Sequence, residues 1–157
     1  MSVRKLSHHG LCVSELERAL AFYRDGLGFR EVSRMTFTDA GTQRLLGIAG
    51  AKLEAIYLRR DGTTLELLHF PTPGTHLDRA PRPMNQVGLT HLSFLVDDLD
   101  AALASLRALG ARVLEETRLG LGGGGPRAIF VTDPDGTRIE LVEGDFDPAT
   151  FTPSASG

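Results

Sequence analysis

The sequence has no tryptophan, only two tyrosines and a single cysteine, and it carries neither a basic block nor a long apolar run. One cysteine, Cys12, excludes an intramolecular disulfide and fits a reducing, cytoplasmic setting. With 17 Lys and Arg against 20 Asp and Glu, the formal charge is −3, which speaks against nucleic acid as a partner. No apolar stretch approaches the roughly 18 residues of a membrane-spanning helix, and MSVRKLSHHG lacks the apolar centre of a signal peptide, so no membrane partner is expected. Scarce aromatic side chains leave little from which to build a stacking groove. What remains is the composition of a globular protein: 157 residues, 41% apolar and 24% charged. A chain of that length buries roughly 70% of the surface its unfolded form exposes. It fits one ordinary domain or two very small ones. Eighteen glycines and five histidines, two of them adjacent, stand out.

The chain repeats itself. LSHHGLCV (6–13) aligns with LTHLSFLV (89–96), which sets His8 over His91. Helical patterns follow both, SELERALAFYRDGLGF and DDLDAALASLRALGA, and further on DGTTLELL (61–68) aligns with DGTRIELV (135–142), setting Glu66 over Glu140. Four anchor segments in one order mark a duplicated module. The shorter offset of the glutamates is assigned to a longer loop in the first copy, around 39–52. Each copy reads strand, helix, strands. Ser14 and Asp98 are the expected N-caps, with Glu17 completing a capping box after Ser14. Further strands are expected near 29–38, 53–60 and 63–69, and near 111–118, 127–132 and 137–143, with hairpin signals at Asp61-Gly62 and Asp135-Gly136. The first module is placed at 1–70, a proline-rich extended linker at 71–87, the second module at 88–144 and a fraying tail at 145–157. GLGGGG (120–125) reads as a mobile loop.

Alternation along strands puts His8 on one face with Gly10 and Cys12. Glu66 lies between Leu65 and Leu67, and Glu140 between Ile139 and Leu141. If those neighbours face the helices, both glutamates share the face of the histidines. A charge inside an apolar strand costs several kcal/mol unless it is paired or bound to a metal. A hydrogen-bonded core histidine and an edge glutamate are the bland alternative, but here the same exception would occur twice. The set His8, Glu66, His91 and Glu140 suits a divalent cation (Zn, Ni, Co, Mn or Fe) and leaves two positions of an octahedron open. His9 and His69 alternate away from that face, and His76 falls in the proline-rich stretch. Cys12, near the metal face, is expected to be a small buried hydrophobe, with a pocket thiol as the alternative. Arg127, beside the glycine run, is either an anchor for a substrate carboxylate or phosphate or a surface charge. Tyr57, Cys12 and Arg127 are the candidate substrate contacts.

The stretches HHGLCVSELERALAFYRDGLGF, TTLELLHF, LTHLSFLVDDLDAALASLRALGARV and IFVTDPDGTRIELVE resemble the vicinal oxygen chelate superfamily, which includes glyoxalase I, methylmalonyl-CoA epimerase, extradiol dioxygenases and the bleomycin and fosfomycin resistance proteins. The resemblance implies an α+β fold of two βαβββ modules with mixed sheets curled around a metal cleft. It also implies that His8, Glu66, His91 and Glu140 occupy the four ligand positions, where the metal takes two neighbouring oxygens of a small molecule. As in glyoxalase I, one glutamate can act as general base on an α-carbon proton. By position that residue is Glu140, with Glu66 its counterpart. Glu54, in KLEAIYL, is a second base candidate by likeness to the epimerases, with a solvated strand residue as the alternative.

Cys12 stands where glyoxalase I usually has an arginine, and Phe70-Pro71 where it has Asn-Trp, so a glutathione adduct is not expected as substrate. ELLH (66–69) and GLGGGGPRAIF look like the epimerases, whereas DPDG (133–136) is the glyoxalase-type pattern. The expectation is a cytoplasmic, homodimeric, metal-dependent lyase or isomerase of the glyoxalase type. The alternatives are an epimerase of the methylmalonyl-CoA type, an iron-dependent extradiol dioxygenase and, in a different class, a metal-free drug-binding resistance protein. A dioxygenase needs three open metal positions and therefore Glu66 off the metal. A binding protein would leave the filled ligand positions without purpose.

Overall fold

The computed structural model describes residues 2–77, 82–120 and 127–145. Most of the glycine-rich run and the tail from 146 lie outside the described residues. The chain divides into two compact units, Met1–Ala80 and Pro81–Gly157.

The first unit holds β1 (His9–Cys12), α1 (Leu16–Leu20), β2 (Arg30–Phe37), α2 (Ala40–Leu46), β3 (Lys52–Arg60) and β4 (Thr63–Thr72). Its open sheet has the order β1-β4-β3-β2, with β1 parallel to β4 and the other pairs antiparallel. Asp61 (φ 48°) and Gly62 (φ 79°) make a two-residue hairpin between β3 and β4, closed by the Arg60–Thr63 pair. Positive φ at both central residues matches the right-handed twist of the strands, which is why Asp-Gly is favoured there. β4 runs on through Thr72, so the proline-rich stretch begins as strand.

α1 is capped by Glu15 rather than Ser14. The Glu15 carboxylate accepts from the amides of Glu17 (3.2 Å) and Arg18 (2.8 Å), while Ser14 Oγ accepts from Arg18 Nη2. The helix continues as a π-helical segment over Ala21–Gly26. Leu16, Leu20, Phe22 and Tyr23 from this helix, and Ile56, Leu58, Leu65 and Leu67 from one face of the sheet, are all buried. Each such aliphatic side chain contributes roughly 2 kcal/mol by leaving water.

α2 lies in the stretch expected to be loop. Asp39 caps it, with Oδ1 accepting from the Thr42 amide (2.9 Å) and Oδ2 from the Thr42 hydroxyl (2.6 Å), and Gly47 ends it at φ 69°. A smaller apolar cluster of Ala51, Leu53, Ala55 and Phe70 packs with Leu46, Ile48, Tyr57 and Leu68.

The second unit repeats the plan with β5 (His91–Val96), α3 (Leu99–Ala108), β6 (Arg112–Leu119), β7 (Ala128–Thr132) and β8 (Arg138–Glu143). The sheet order is β5-β8-β7-β6, again with the first pair parallel and the sheet open. Asp98 caps α3 through the Ala101 amide (2.9 Å), and Leu99, Leu103 and Leu106 are buried alongside Ile129, Val131, Ile139 and Leu141. The β7–β8 turn is longer than a two-residue hairpin. Asp133, 3% exposed, organises it by accepting from the amides of Asp135 (2.9 Å) and Thr137 (2.8 Å) through Oδ1. The fold is α+β, built from two βαβββ modules. Among the described residues no helix is long and apolar enough to cross a membrane.

Candidate functional site

In the first unit the parallel pairing of β1 and β4 sets Gly10 opposite Glu66. His8, two residues before Gly10, shares its face, and its Nε2 lies 3.1 Å from Glu66 Oε2. Ser7 Oγ sits 3.0 Å from His8 Nδ1, so the imidazole is held by its far nitrogen. On the other side of β4, Tyr57 is the register partner of Glu66 and donates its hydroxyl to Oε1 at 2.6 Å. The Tyr57 and His8 rings meet edge-on at 5.5 Å. The hydrogen bond to Glu66, then burial and the carboxylate's charge, push the Tyr57 phenol up to about 12.

The second unit builds the same half-site with one exchange. β5 and β8 set Ser93 opposite Glu140, and His91 Nε2 lies 3.7 Å from Glu140 Oε2. Thr90 Oγ1 holds His91 Nδ1 at 2.8 Å. Phe130 occupies the Tyr57 position, pairing with Glu140 in register and meeting the His91 ring at 5.2 Å. Phenylalanine has no hydroxyl to give. The hydroxyl comes instead from Ser93, whose Oγ donates to Glu140 Oε2 at 2.7 Å, at the position where the first copy has Gly10.

Each unit thus offers an imidazole Nε2 and a carboxylate side by side, with the imidazole's second nitrogen fixed by a hydroxyl. That is the arrangement of a metal-ligating histidine, whose outer nitrogen is normally held by a neighbour that sets its tautomer and orientation. Nitrogen and oxygen donors without sulfur suit a first-row divalent cation. The donor set therefore fits such a metal. Within each unit the described residues gather two such groups and no third.

The Nδ1 partners were not anticipated, although the signal is in the sequence: a hydroxyl residue precedes both repeat-equivalent histidines, Ser7 and Thr90.

The remaining expected site residues are not brought to these pairs in the same way. Cys12 is exposed rather than buried, on β1 at the edge of its sheet. Glu54 stands an odd number of residues from Tyr57 on a regular stretch of β3, hence on the opposite face, and its carboxylate is 3.0 Å from Lys52 Nζ. Arg127 is held between Asp100 Oδ2 (2.8 Å) and Glu143 Oε1 (3.0 Å), and Glu143 in turn accepts from the first amide of α3. That cluster joins β8 to the start of the helix. The hydrogen bond to Asp100 raises the Arg127 pKa further, so the guanidinium stays charged. His69 Nδ1 reaches the Val13 carbonyl at 3.4 Å, His9 Nδ1 is buried without a hydrogen-bond partner among the described residues, and His76 is exposed.

The sequence profile of the Glyoxalase/Bleomycin resistance protein/Dioxygenase superfamily matches residues 5–141. The chain is 30% identical over 143 residues to YwkD of Bacillus subtilis (strain 168), covering 91% of this chain and 99% of that one. It is 28% identical over 143 residues to the ethylmalonyl-CoA/methylmalonyl-CoA epimerase of Cereibacter sphaeroides, covering 90% of this chain and 98% of the epimerase. Among solved structures, a glyoxalase family protein from Bacillus cereus superposes with a TM-score of 0.76 at 24% identity, covering 91% of this chain and 97% of that one.

Proposed function

The chain belongs to the Glyoxalase/Bleomycin resistance protein/Dioxygenase superfamily, and from that premise we propose that it is a metal-dependent lyase or isomerase of the glyoxalase type. In this reading it removes a proton beside a chelated carbonyl of a small molecule that is not a glutathione adduct. The observation that carries the reading is the duplicated His–Glu pair, each imidazole steered by a hydroxyl on Nδ1. His8, Glu66, His91 and Glu140 would hold the divalent cation. When bound, the cation would polarise a substrate carbonyl and make the neighbouring C–H more acidic.

The protein's own part is proton transfer. Glu140 takes the α-carbon proton at Oε1, which has no hydrogen-bond partner among the described residues, while Ser93 holds Oε2. Glu66 is the less suited of the two, since Tyr57 occupies its Oε1 and its side chain is 12% exposed against 28% for Glu140. Glu54, on the opposite face and ion-paired, plays no part in this reading. An acyl-CoA epimerase is the second reading, favoured by the relative of that name, and it requires the same proton transfer. We take the enzyme to be a cytoplasmic homodimer; sedimentation of the purified protein checks the dimer.

The purified protein should carry or take up one divalent ion per chain, lost in His8→Ala and His91→Ala. Incubation in heavy water with α-keto or acyl-thioester substrates should place deuterium at the α-carbon. Glu140→Gln should slow that exchange by about 10²–10⁴, the usual worth of a positioned general base. Protein that neither holds metal nor binds it on reconstitution would overturn the reading, and oxygen consumption in place of exchange would replace it with a dioxygenase.

A further inference from the structure

The first unit has an open cleft of about 320 Å³ lined by His8 and Tyr57 together with Ser33, Thr64 and the exposed Lys5 and Arg59. Arg59 and Thr64 are register partners on β3 and β4, and the Tyr57–Glu66 pair lies two residues further along the same strands and on the same face. Two strand residues span about 7 Å. One cleft therefore runs from His8 and Tyr57 to a cationic end whose strand positions lie about 7 Å further along the backbone.

The charges at that end are not spent on the protein. In this unit Arg24, Arg34 and Arg60 each pair with a carboxylate, Asp25, Glu31 and Asp61 respectively. Among the described residues neither Arg59 nor Lys5 has an ion pair or a hydrogen bond to its charged group, although Asp61 is only two residues from Arg59. Among the described residues no Asp or Glu lines the cleft, whereas Ser33 and Thr64 do. A guanidinium offers two parallel N–H groups matched to a carboxylate or phosphate, and an ammonium adds a point charge.

The geometry points to an anion subsite at Arg59 and Lys5. The substrate would be a small acid whose carboxylate or phosphate group sits there while its other end faces His8 and Tyr57. The part of this inference that concerns the far end of the substrate rests on the proposed function. The subsite itself does not.

The test uses the full chain freed of metal, so that it is independent of turnover. Inorganic phosphate and acetate are titrated separately while backbone amide resonances of β3 and β4 are followed by NMR. Saturable binding centred on Arg59 and Thr64 is expected, weakened at least tenfold in Arg59→Gln and also weakened by added sodium chloride. A Lys5→Gln variant provides a second reading should Arg59→Gln fold poorly, and Arg59→Lys should recover part of the affinity. Tighter phosphate marks a phosphate-bearing substrate, and tighter acetate a carboxylate-bearing one. No saturable binding of either anion, or binding unchanged in both glutamine variants, overturns the subsite. Metal binding retained by Arg59→Gln shows that such a failure leaves the metal reading standing.

Discussion

Tyr57 is the residue on which the two halves differ most. Its hydroxyl donates 2.6 Å to Glu66 Oε1, a bond to an ionised acceptor. Such a bond contributes about 1.5–3 kcal/mol. The folded phenol titrates at about 12 against an ordinary value near 10, so the fold favours the neutral form. The contribution is therefore fully present below pH 10 and is lost as pH rises towards 12. Tyr57→Phe in the metal-free protein should be less stable than wild type at neutral pH, and the gap should close across that window. Denaturant titrations of both proteins check this, and a gap that persists undiminished at pH 12 would show that the phenol is not held in this way.

At the scale of elements, the same pairing was countable from the sequence. Asp61-Gly62 is a two-residue turn, and stepping outward from it brings Arg60 to Thr63 and Tyr57 to Glu66. The same count does not apply in the second copy, because its Asp-Gly is not the centre of a two-residue turn. Asp133 draws in the amides of Asp135 and Thr137, and a five-residue connection results. Asp133→Ala would leave two sheltered donors without an acceptor and should cost about 3 kcal/mol, whereas Asp133→Asn keeps a carbonyl oxygen and should cost less. Thermal and chemical denaturation of the two variants compare the effects.

The strands were legible because alternation of apolar and polar residues is a local signal, and the repeated His and Glu positions stood out for the same reason. α2 was not legible. The offset between copies could only label the stretch as inserted, and none of the residues of α2 is fully buried, so its apolar pattern is weak. Its end signals, Asp39 and Gly47, were present. Glu15 escaped notice because glutamate is an uncommon cap beside an available serine.

For the whole molecule the proposed metal makes a thermodynamic demand. A ligand that binds only the folded chain stabilises it by mass action, about 2.7 kcal/mol when its free concentration is a hundred times Kd. The melting temperature should therefore climb with added divalent metal and fall back with chelator. His8→Ala and His91→Ala, in different units, should each abolish the rise. A rise that survives both substitutions would place the ion elsewhere.

The exchange of Gly10 and Tyr57 for Ser93 and Phe130 has a consequence for how a duplicated fold diverges. Each glutamate strand lies between a parallel neighbour and an antiparallel one, so its carboxylate has two berths from which a hydroxyl can reach it. In one copy the donor is a phenol from the antiparallel side, and in the other a serine from the parallel side. The backbone plan is the same in both. Symmetry in the scaffold thus permits asymmetry in the acids it carries, and twin carboxylates can take unlike roles without a change of architecture.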